Sequence, residues 1–368
     1  MVLYKLKNPC TRDHWTVAPQ GVWFSRAQIA VIRGTEMADA ATLKPPKPRP
    51  TTAAAAGAPG LAPTRSFAML SHRGRLRHAN QDTCAALPEH GAFVVCDGMG
   101  GAAGGEVASH LATQVFLDSL AQGGCPPPDS AASGPVALKP AARKSATPKF
   151  VPASAPREAE YGAQPNPATQ ARMRLAEAIR AANQAVYRHS RKSPSLYGMG
   201  TTLVALLWEE APASSTLWIT HVGDSRCYRL RSGTLHLLTQ DHSLVEEQVR
   251  AGVLSRAQAI ASPMRNIITR AIGTQPTVEP EIAAHDPQPG DLYLLASDGL
   301  SRELDDGEIA QVLARTAGPA ALAAGGRNSA TPGAALQATL DAACRAQIDA
   351  ANAKGGRDNI TVLLVYCL

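Results

Sequence analysis

The feature that most constrains this fold is a recurring one, an apolar run that ends in an aspartate at a turn. Such runs occupy residues 93–96 before Asp97-Gly98, 217–222 before Gly223-Asp224 and 292–297 before Asp298-Gly299. Asp358 instead stands two residues ahead of the apolar run 360–366. Short runs rich in Val, Ile, Leu and Trp that end at turn residues are typical of half-buried strands. The sequence therefore predicts a protein built from sheets, with carboxylates at several strand ends.

The strand-end carboxylates carry charge that a buried site must balance. If they converged without a partner, they would repel one another and lose their hydration at a high cost. A cation removes this conflict, and ligand sets made of oxygen atoms suit hard ions such as Mg²⁺ or Mn²⁺. The chain has no His-x-His pair and no cysteine cluster, which argues against zinc. Because Asp-Gly is also a turn signal, a turn role is the alternative for any one of these aspartates.

Helical and strand patterns are clustered along the chain rather than alternating one by one. Amphipathic spacing predicts helices at residues 106–120, 169–189 and 336–350. Further apolar runs predict a strand at 202–208 and a hairpin formed by 227–230 and 235–238. This order favours an α+β fold over a doubly wound parallel sheet.

Proline-rich and small-residue segments mark the parts of the chain outside this core. Residues 1–65 are predicted to be an N-terminal extension and Pro/Ala-rich linker without stable structure, and low-complexity insertions are predicted at about 121–167 and 316–335. The first insertion acts as a linker or recruits a partner. Residues 66–368 otherwise form one domain. Within the extension, either translation begins at Met37 or the first 36 residues form a short docking segment.

Charge, hydropathy and cysteine spacing exclude several classes of protein. The formal charge is +6, but no run of five like charges occurs, so a nucleic-acid-binding arm or a polybasic membrane anchor is not favoured. The longest apolar stretches have about seven residues, too few to span a bilayer. The seven cysteines form no Cys-x-x-Cys pair and follow no secretory signal. These patterns predict a soluble, cytoplasmic protein without nucleic-acid or membrane partners.

Residues 71–82 place several arginines beside the polar turn Asn80-Gln81-Asp82. One interpretation is a basic edge strand with surface charges. The other is that one arginine offers its planar guanidinium to an oxygen-rich anion such as a phosphate. The glycine-rich stretch 99–105 leads into a predicted helix, but no Lys-Ser/Thr pair follows it, so a P-loop is excluded.

Seven short motifs occur in one order along residues 66–368, outside the insertions. They are Arg77 with Asn80-Gln81-Asp82, Asp97-Gly98-Met99-Gly100-Gly101, Gly200-Thr201-Thr202, Gly223-Asp224-Ser225-Arg226, Leu238-Thr239-Gln240-Asp241-His242-Ser243, Ala296-Ser297-Asp298-Gly299-Leu300 and Asp358-Asn359-Ile360-Thr361-Val362. Each motif is short, but the ordered set is specific. Through this ordered set of motifs, the chain resembles the bacterial form of the metal-dependent Ser/Thr protein phosphatases of the PPM (type 2C) family.

The resemblance implies both a fold and a metal centre. The implied fold is a four-layer α-β-β-α sandwich, two antiparallel sheets flanked by helices, with a dinuclear metal centre at one edge. By motif position, the implied ligands are Asp97, the Gly98 backbone carbonyl, Asp298 and Asp358, with Asp82 in the outer shell through water and Asp224 at a third, weaker ion. Arg77 matches the arginine that binds the substrate phosphate. The implied cofactors are two core Mn²⁺ or Mg²⁺ ions and the weaker third.

The resemblance also implies an activity. It implies hydrolysis of phosphoserine and phosphothreonine on proteins, by direct attack of a hydroxide that bridges two ions and without a covalent phosphoenzyme. The sequence agrees, since no cysteine has an arginine six positions later and no Asp-x-Asp pair exists. The implied partners are phosphorylated proteins and a Ser/Thr kinase that the enzyme opposes, and a monomer is expected. Two alternatives stay open, a pseudophosphatase that binds phosphoproteins and a small-molecule phosphomonoesterase.

Two positions depart from the family pattern. Met99 stands where eukaryotic relatives carry a histidine proposed as general acid, so the proton donor to the leaving serine is open. Gln81 replaces the more usual glutamate beside Asp82, which removes one outer-shell charge. Residues 244–273 match the variable flap that frames the substrate site. His72 and His242 have no partner at a catalytic spacing and are predicted to be structural or surface residues.

Overall fold

The computed structural model describes residues 65–100, 104–123, 167–211, 214–318 and 332–368, together with 16–17, 23–24 and 322. Most of the N-terminal extension and most of both predicted insertions lie outside these ranges, so their lack of stable structure stays a prediction. The choice between Met1 and Met37 as the first residue lies outside them too.

Thirteen strands and seven α-helices are described. The strands are β1 Thr16–Val17, β2 Trp23–Phe24, β3 Arg65–His72, β4 Asp82–Leu87, β5 Ala92–Met99, β6 Gly200–Thr201, β7 Leu203–Ala211, β8 Ser214–Val222, β9 Arg226–Arg231, β10 Thr234–Leu237, β11 Glu281–His285, β12 Leu292–Ala296 and β13 Ile360–Cys367. The helices are α1 Gly104–Ala121, α2 Pro167–Ser190, α3 Leu244–Arg250, α4 Arg256–Ala261, α5 Asp298–Ser301, α6 Asp306–Ala317 and α7 Pro332–Lys354. Among the described helices, none combines the length and the apolar character needed to cross a bilayer.

The strands form two antiparallel sheets. The first has the order β1-β2-β4-β5-β7-β8-β11, with β6 paired to β5, and the second has the order β10-β9-β12-β13-β3. Helices α1 and α2 bury their apolar faces against the first sheet, while α6 and α7 cover the second. A third apolar cluster lies between the sheets. The predicted α+β class and the four-layer sandwich are therefore confirmed.

Alternation along the central strands builds these apolar layers. In β5, Phe93 and Val95 face the second sheet, whereas Val94 and Cys96 face α1 and α2. Successive side chains of a strand point to opposite faces, so a strand covered on both sides must be apolar at every position. This is why residues 93–96 form an unbroken apolar run before Asp97.

The predicted helices are confirmed as α1, α2 and α7, each longer than predicted. The edge-strand interpretation of residues 71–82 holds only for residues 71–72, which end the edge strand β3, and is wrong for residues 73–81, which form a loop. This loop packs closely against the segment that precedes β13. At Gly74 φ is 75°, and a Cβ there would lie 2.1 Å from the Asp358 carbonyl oxygen. Only glycine permits both this backbone conformation and this approach.

One edge of the sandwich collects the strand-end aspartates. Strands β12 and β13 are antiparallel neighbours, so Asp298 after β12 lies beside Asp358, which precedes β13. In the first sheet, Asp82 at the start of β4 pairs directly with Asp97 near the end of β5. Asp224 lies in the turn from β8 to β9, where the chain passes between sheets. Antiparallel register thus brings together residues that are far apart in the sequence.

Candidate metal centre

Asp82 connects the two sheets at this edge. The residue is 3% exposed, and its Oδ2 atom accepts hydrogen bonds from Ser297 Oγ and Thr361 Oγ1, both at 2.7 Å. Ser297 follows β12, and Thr361 belongs to β13. A carboxylate of the first sheet is therefore held in place by two hydroxyl groups of the second.

Two threonines hold the backbone around Asp97. The Asp97 amide donates to Thr202 Oγ1 at 3.0 Å, while Thr201 Oγ1 and the Thr202 amide both donate to the Asp97 carbonyl at 2.8 Å. The next residue must be glycine, since a Cβ at Gly98 would lie 2.0 Å from the Gly105 carbonyl oxygen. The sequence analysis included both threonines in a motif but gave them no role, and their role is to fix this strand end.

Three further carboxylates complete the cluster. Asp224 and Asp298 are 5% and 7% exposed, and within the described structure the Oδ1 atom of each is buried without a hydrogen-bond partner. Asp358 is more open, and its Oδ2 atom accepts a hydrogen bond from Arg77 Nη2 at 2.7 Å. Arg302, which the sequence analysis missed, reaches all three: it pairs with Asp298, and lies 3.4 Å from Asp224 Oδ2 and 3.7 Å from Asp358 Oδ2.

Asn359 holds the loop between β3 and β4, which carries Arg77. Its Nδ2 atom donates to the carbonyls of Arg73 at 3.0 Å and Ala79 at 2.9 Å, and its Oδ1 atom accepts from the Gln81 amide at 2.8 Å. One buried amide thus satisfies three backbone groups of the loop. The motif that contains Asn359 was visible in the sequence, but this function was not.

Burial and mutual repulsion raise the pKa values of the cluster. Burial, and then the charges of Asp82 and Asp298, raise the pKa of Asp97 well above its usual range. Burial raises the pKa of Asp224 to about 7 and the pKa values of Asp82 and Asp298 to about 6. Such shifts show that the carboxylates lack enough positive charge around them. Unpartnered oxygens and unbalanced charge both fit divalent cations bound to this oxygen-only set.

Comparison with known proteins agrees with this geometry. Residues 71–341 match the family described as Protein phosphatase 2C. The chain belongs to this family.

Named relatives and solved structures extend the match. A serine/threonine phosphatase stp of Listeria monocytogenes serotype 4b (strain F2365) is 31% identical over 296 residues, which cover 80% of this chain and 92% of that protein. The crystal structure of the Mycobacterium tuberculosis serine/threonine phosphatase PstP/Ppp is similar with a TM-score of 0.57 at 28% identity, over 82% of this chain and 98% of that one. The structure of a PstP catalytic domain in complex with two manganese ions is similar with a TM-score of 0.55 at 27% identity, over 83% of this chain and 98% of that one.

A histidine pair lies beside residues 244–273, the predicted flap. The rings of His221 and His242 stack with their centroids 4.6 Å apart, and Glu281 Oε1 lies 3.1 Å from His242 Nε2. This His-His-Glu group joins residues that are distant in the sequence, so residue spacing does not reveal it. Both nitrogens of His242 are already engaged, because the Gly223 amide donates to Nδ1 and Nε2 donates to Glu281 Oε1. These contacts give His242 the structural role expected of it.

The two departures from the family pattern, Gln81 and Met99, adjoin Asp82 and Gly98 in the sequence. The Gln81 side chain packs against the start of α1, where a Cβ at Gly105 would lie 2.8 Å from Gln81 Oε1. Met99 is partly buried and has no proton to donate. His72 Nδ1 accepts from the Gly74 amide at 2.9 Å, which is a structural contact.

Two cavities open at the carboxylate cluster. The larger, about 860 Å³, extends from Asp224 and Asp298 beneath the flap to the segment before α6. Its lining includes the flap residues Val245 and Ile260, as well as Asp305, Asp306 and Glu308. The smaller, about 200 Å³, is lined by Arg77, Arg265, Arg302, Arg357 and Asp358, among others. A pocket with four arginines beside a carboxylate cluster suits an anion that also contacts bound cations.

Proposed function

We propose that this chain is a metal-dependent protein phosphatase that hydrolyses phosphoserine and phosphothreonine on proteins. The observation that carries the proposal is the convergence of five aspartates, contributed by both sheets, at one edge of a phosphatase 2C fold. All the aspartates that the family motifs require are present and lie together. This disfavours a pseudophosphatase, which would be expected to lack part of the set.

Asp97, Asp298, Asp358 and the Gly98 carbonyl would hold two divalent ions, Mn²⁺ or Mg²⁺. The raised pKa values and the unpartnered Oδ1 atom of Asp298 support this assignment, as does the related PstP structure with two manganese ions. Asp82 would act through water, whereas the further ion that the family resemblance implies at Asp224 is considered with Arg302 below. When bound, such a pair of ions supplies an acidified water as nucleophile and positive charge for the phosphoryl oxygens.

Arg77 would bind the substrate phosphate. Its side chain is 50% exposed, lies in the arginine-lined cavity and is held by Asp358 at 2.7 Å. A guanidinium can donate two parallel hydrogen bonds to phosphate oxygens. Phosphoryl transfer depends mainly on positioning and on stabilising developing charge. Arg77 would therefore orient the phosphate and balance its charge, while Asp358 keeps the guanidinium turned toward the cluster.

The larger cavity favours a protein segment over a metabolite as substrate, because it continues well past the carboxylate cluster beneath the flap. The substrates would be phosphorylated proteins, and the enzyme would oppose a Ser/Thr kinase. We also infer a cytoplasmic, monomeric protein without nucleic-acid or membrane partners. The cytoplasmic location is supported by the five cysteines of the described chain, which are buried free thiols: Cys84, Cys96, Cys227, Cys344 and Cys367.

The proposal is tested by hydrolysis of a phosphothreonine peptide with EDTA, Mg²⁺ or Mn²⁺. We expect metal-dependent turnover that Asp298→Asn abolishes, because the variant loses a ligand. Asp349→Asn, the same substitution at an exposed position of α7, should keep the activity. Folded protein without turnover in either ion would contradict the proposal and favour phosphoprotein binding. Faster turnover of a phosphorylated metabolite than of the peptide would favour a small-molecule phosphomonoesterase.

A further inference from the structure

We propose that the Arg302 guanidinium occupies the place of a third metal ion, so that this phosphatase holds two ions rather than three. The inference rests on the proposed function, because it takes the aspartate cluster as a metal centre. It concerns Asp224 and Asp298, the two carboxylates that Arg302 joins. It also differs from the family resemblance, which implies a third ion at Asp224.

The contacts of Arg302 are those of a shared cation. Its Nη2 atom lies 3.4 Å from Asp224 Oδ2 and forms an ion pair with Asp298 Oδ2. Its Nη1 atom lies 3.7 Å from Asp358 Oδ2, so the guanidinium spans three carboxylates of the cluster. The side chain is 27% exposed and thus largely shielded from water. A guanidinium stays protonated in proteins, so this positive charge is permanent.

The backbone fixes Arg302 in this place. The residue follows the single-turn helix α5, and its amide donates to the Asp298 carbonyl at 2.8 Å. Residues four apart on a helical turn lie on the same face, so the Arg302 side chain meets that of Asp298. Leu300 and Leu304, on either side, are buried in the core of the second sheet. These anchors fix the backbone of the turn beside the cluster, within reach of the Arg302 guanidinium.

Charge balance favours the same arrangement. The five aspartates carry five negative charges when ionised. Two divalent ions supply four positive charges, and the guanidinium groups of Arg302 and of Arg77, which pairs with Asp358, supply two more. A third divalent ion would enlarge the excess of positive charge and would have to approach a guanidinium already bound to Asp224 and Asp298. Because the cluster is buried, the repulsion between these cations would be only weakly screened.

The competing assignment for Arg302 is a second phosphate ligand beside Arg77, because both line the smaller cavity. The two roles differ in what they predict. A phosphate ligand changes the KM for the phosphopeptide and leaves the number of bound ions unchanged. A residue that replaces an ion changes that number, in the absence of any substrate.

The test is the number of Mn²⁺ ions bound per chain, measured by equilibrium dialysis at saturating Mn²⁺ and by calorimetric titration. We expect two ions for the wild type and three for Arg302→Met. Arg302→Lys, which keeps the charge, should bind two. The control is Arg357→Met, which removes a positive charge from the same cavity wall but pairs with Glu303 instead of the cluster, and it should also bind two. Adding Asp224→Asn to Arg302→Met should return the number to two.

Each result decides the matter. Three ions in the wild type would overturn the inference, and this measurement does not depend on whether a variant folds. Two ions in folded Arg302→Met would also overturn it, and a raised KM in that case would establish the phosphate-ligand role. A wild type that binds no Mn²⁺ at all would instead refute the proposed function. The two failures are therefore distinguishable.

Discussion

Replacing Asp82 with asparagine should stabilise the metal-free protein. The Asp82 carboxylate is buried at the junction of the sheets, and burial together with the charge of Asp358 outweighs its hydrogen bonds and raises its pKa to about 6. Asparagine keeps an oxygen that can accept from Ser297 and Thr361, the two hydroxyl donors at 2.7 Å. The substitution therefore removes the buried charge while it leaves the bridge between the sheets in place.

The raised pKa gives the size of the effect. The pKa of Asp82 rises from 3.8 to about 6, and each pH unit of that rise corresponds to about 1.4 kcal/mol. Ionised Asp82 therefore costs the metal-free fold about 3 kcal/mol at pH 8. This cost is complete above the folded pKa, decreases as the pH falls through 6, and vanishes below the unfolded value. For a domain of this size, about 3 kcal/mol corresponds to a rise in Tm of roughly 6–12 °C.

The assay is thermal unfolding in EDTA at pH 8 and pH 5. We expect Asp82→Asn to melt above the wild type at pH 8, with about half of the gain in free energy remaining at pH 5. Asp349→Asn, exposed on α7, should melt with the wild type at both pH values. In saturating Mn²⁺ the gain should shrink, because the variant lacks a charge that favours the ions. If Asp82→Asn melts at or below the wild type in EDTA at pH 8, the Asp82 charge is already balanced in the fold and the reasoning fails.

Three further predictions follow from close contacts and from linkage. Gly98→Ala should cost about 3 kcal/mol or more, because its Cβ would lie 2.0 Å from the Gly105 carbonyl oxygen. Gly333→Ala, in open space on α7, should instead raise the free energy of unfolding by about 0.5–1 kcal/mol. Urea unfolding compares the two variants, and equal stabilities would contradict the close packing at Gly98. Arg231→Met should lower the free energy of unfolding by about 2–4 kcal/mol at pH 7, because Asp291, which is 1% exposed, loses two hydrogen bonds of 2.6 Å. A loss below 1 kcal/mol in guanidinium unfolding would show that Asp291 is solvated. Saturating Mn²⁺ should raise the Tm of the wild type more at pH 8 than at pH 5.5, since protons compete with ions for carboxylates of raised pKa; equal shifts would mean that the ions bind elsewhere.

Sequence patterns predict the frame of the site because strand ends are local features. A buried run followed by a polar turn residue depends on neighbours in the chain, and Asp97 lies two residues before the end of β5 while Asp298 lies two residues after the end of β12. Their convergence is not local. It requires the antiparallel register that pairs Asp82 with Asp97 and the contact between two sheets. Before the structure, that convergence rested on the family resemblance, since no spacing in the sequence contains it.

The residues that sequence analysis missed are polar groups whose partners lie far away in the chain. The Asn359 side chain donates to the Arg73 carbonyl, 286 positions earlier, and Arg302 reaches Asp224, 78 positions earlier. A single asparagine or arginine in a sequence is equally compatible with a solvated surface, and only its burial against specific partners reveals its function. The acidic half of this centre can be predicted from strand ends because each aspartate follows or precedes an apolar run. The groups that orient and neutralise the aspartates are defined only by the tertiary fold, so the number of ions that the centre holds depends on Arg302 as much as on the aspartates.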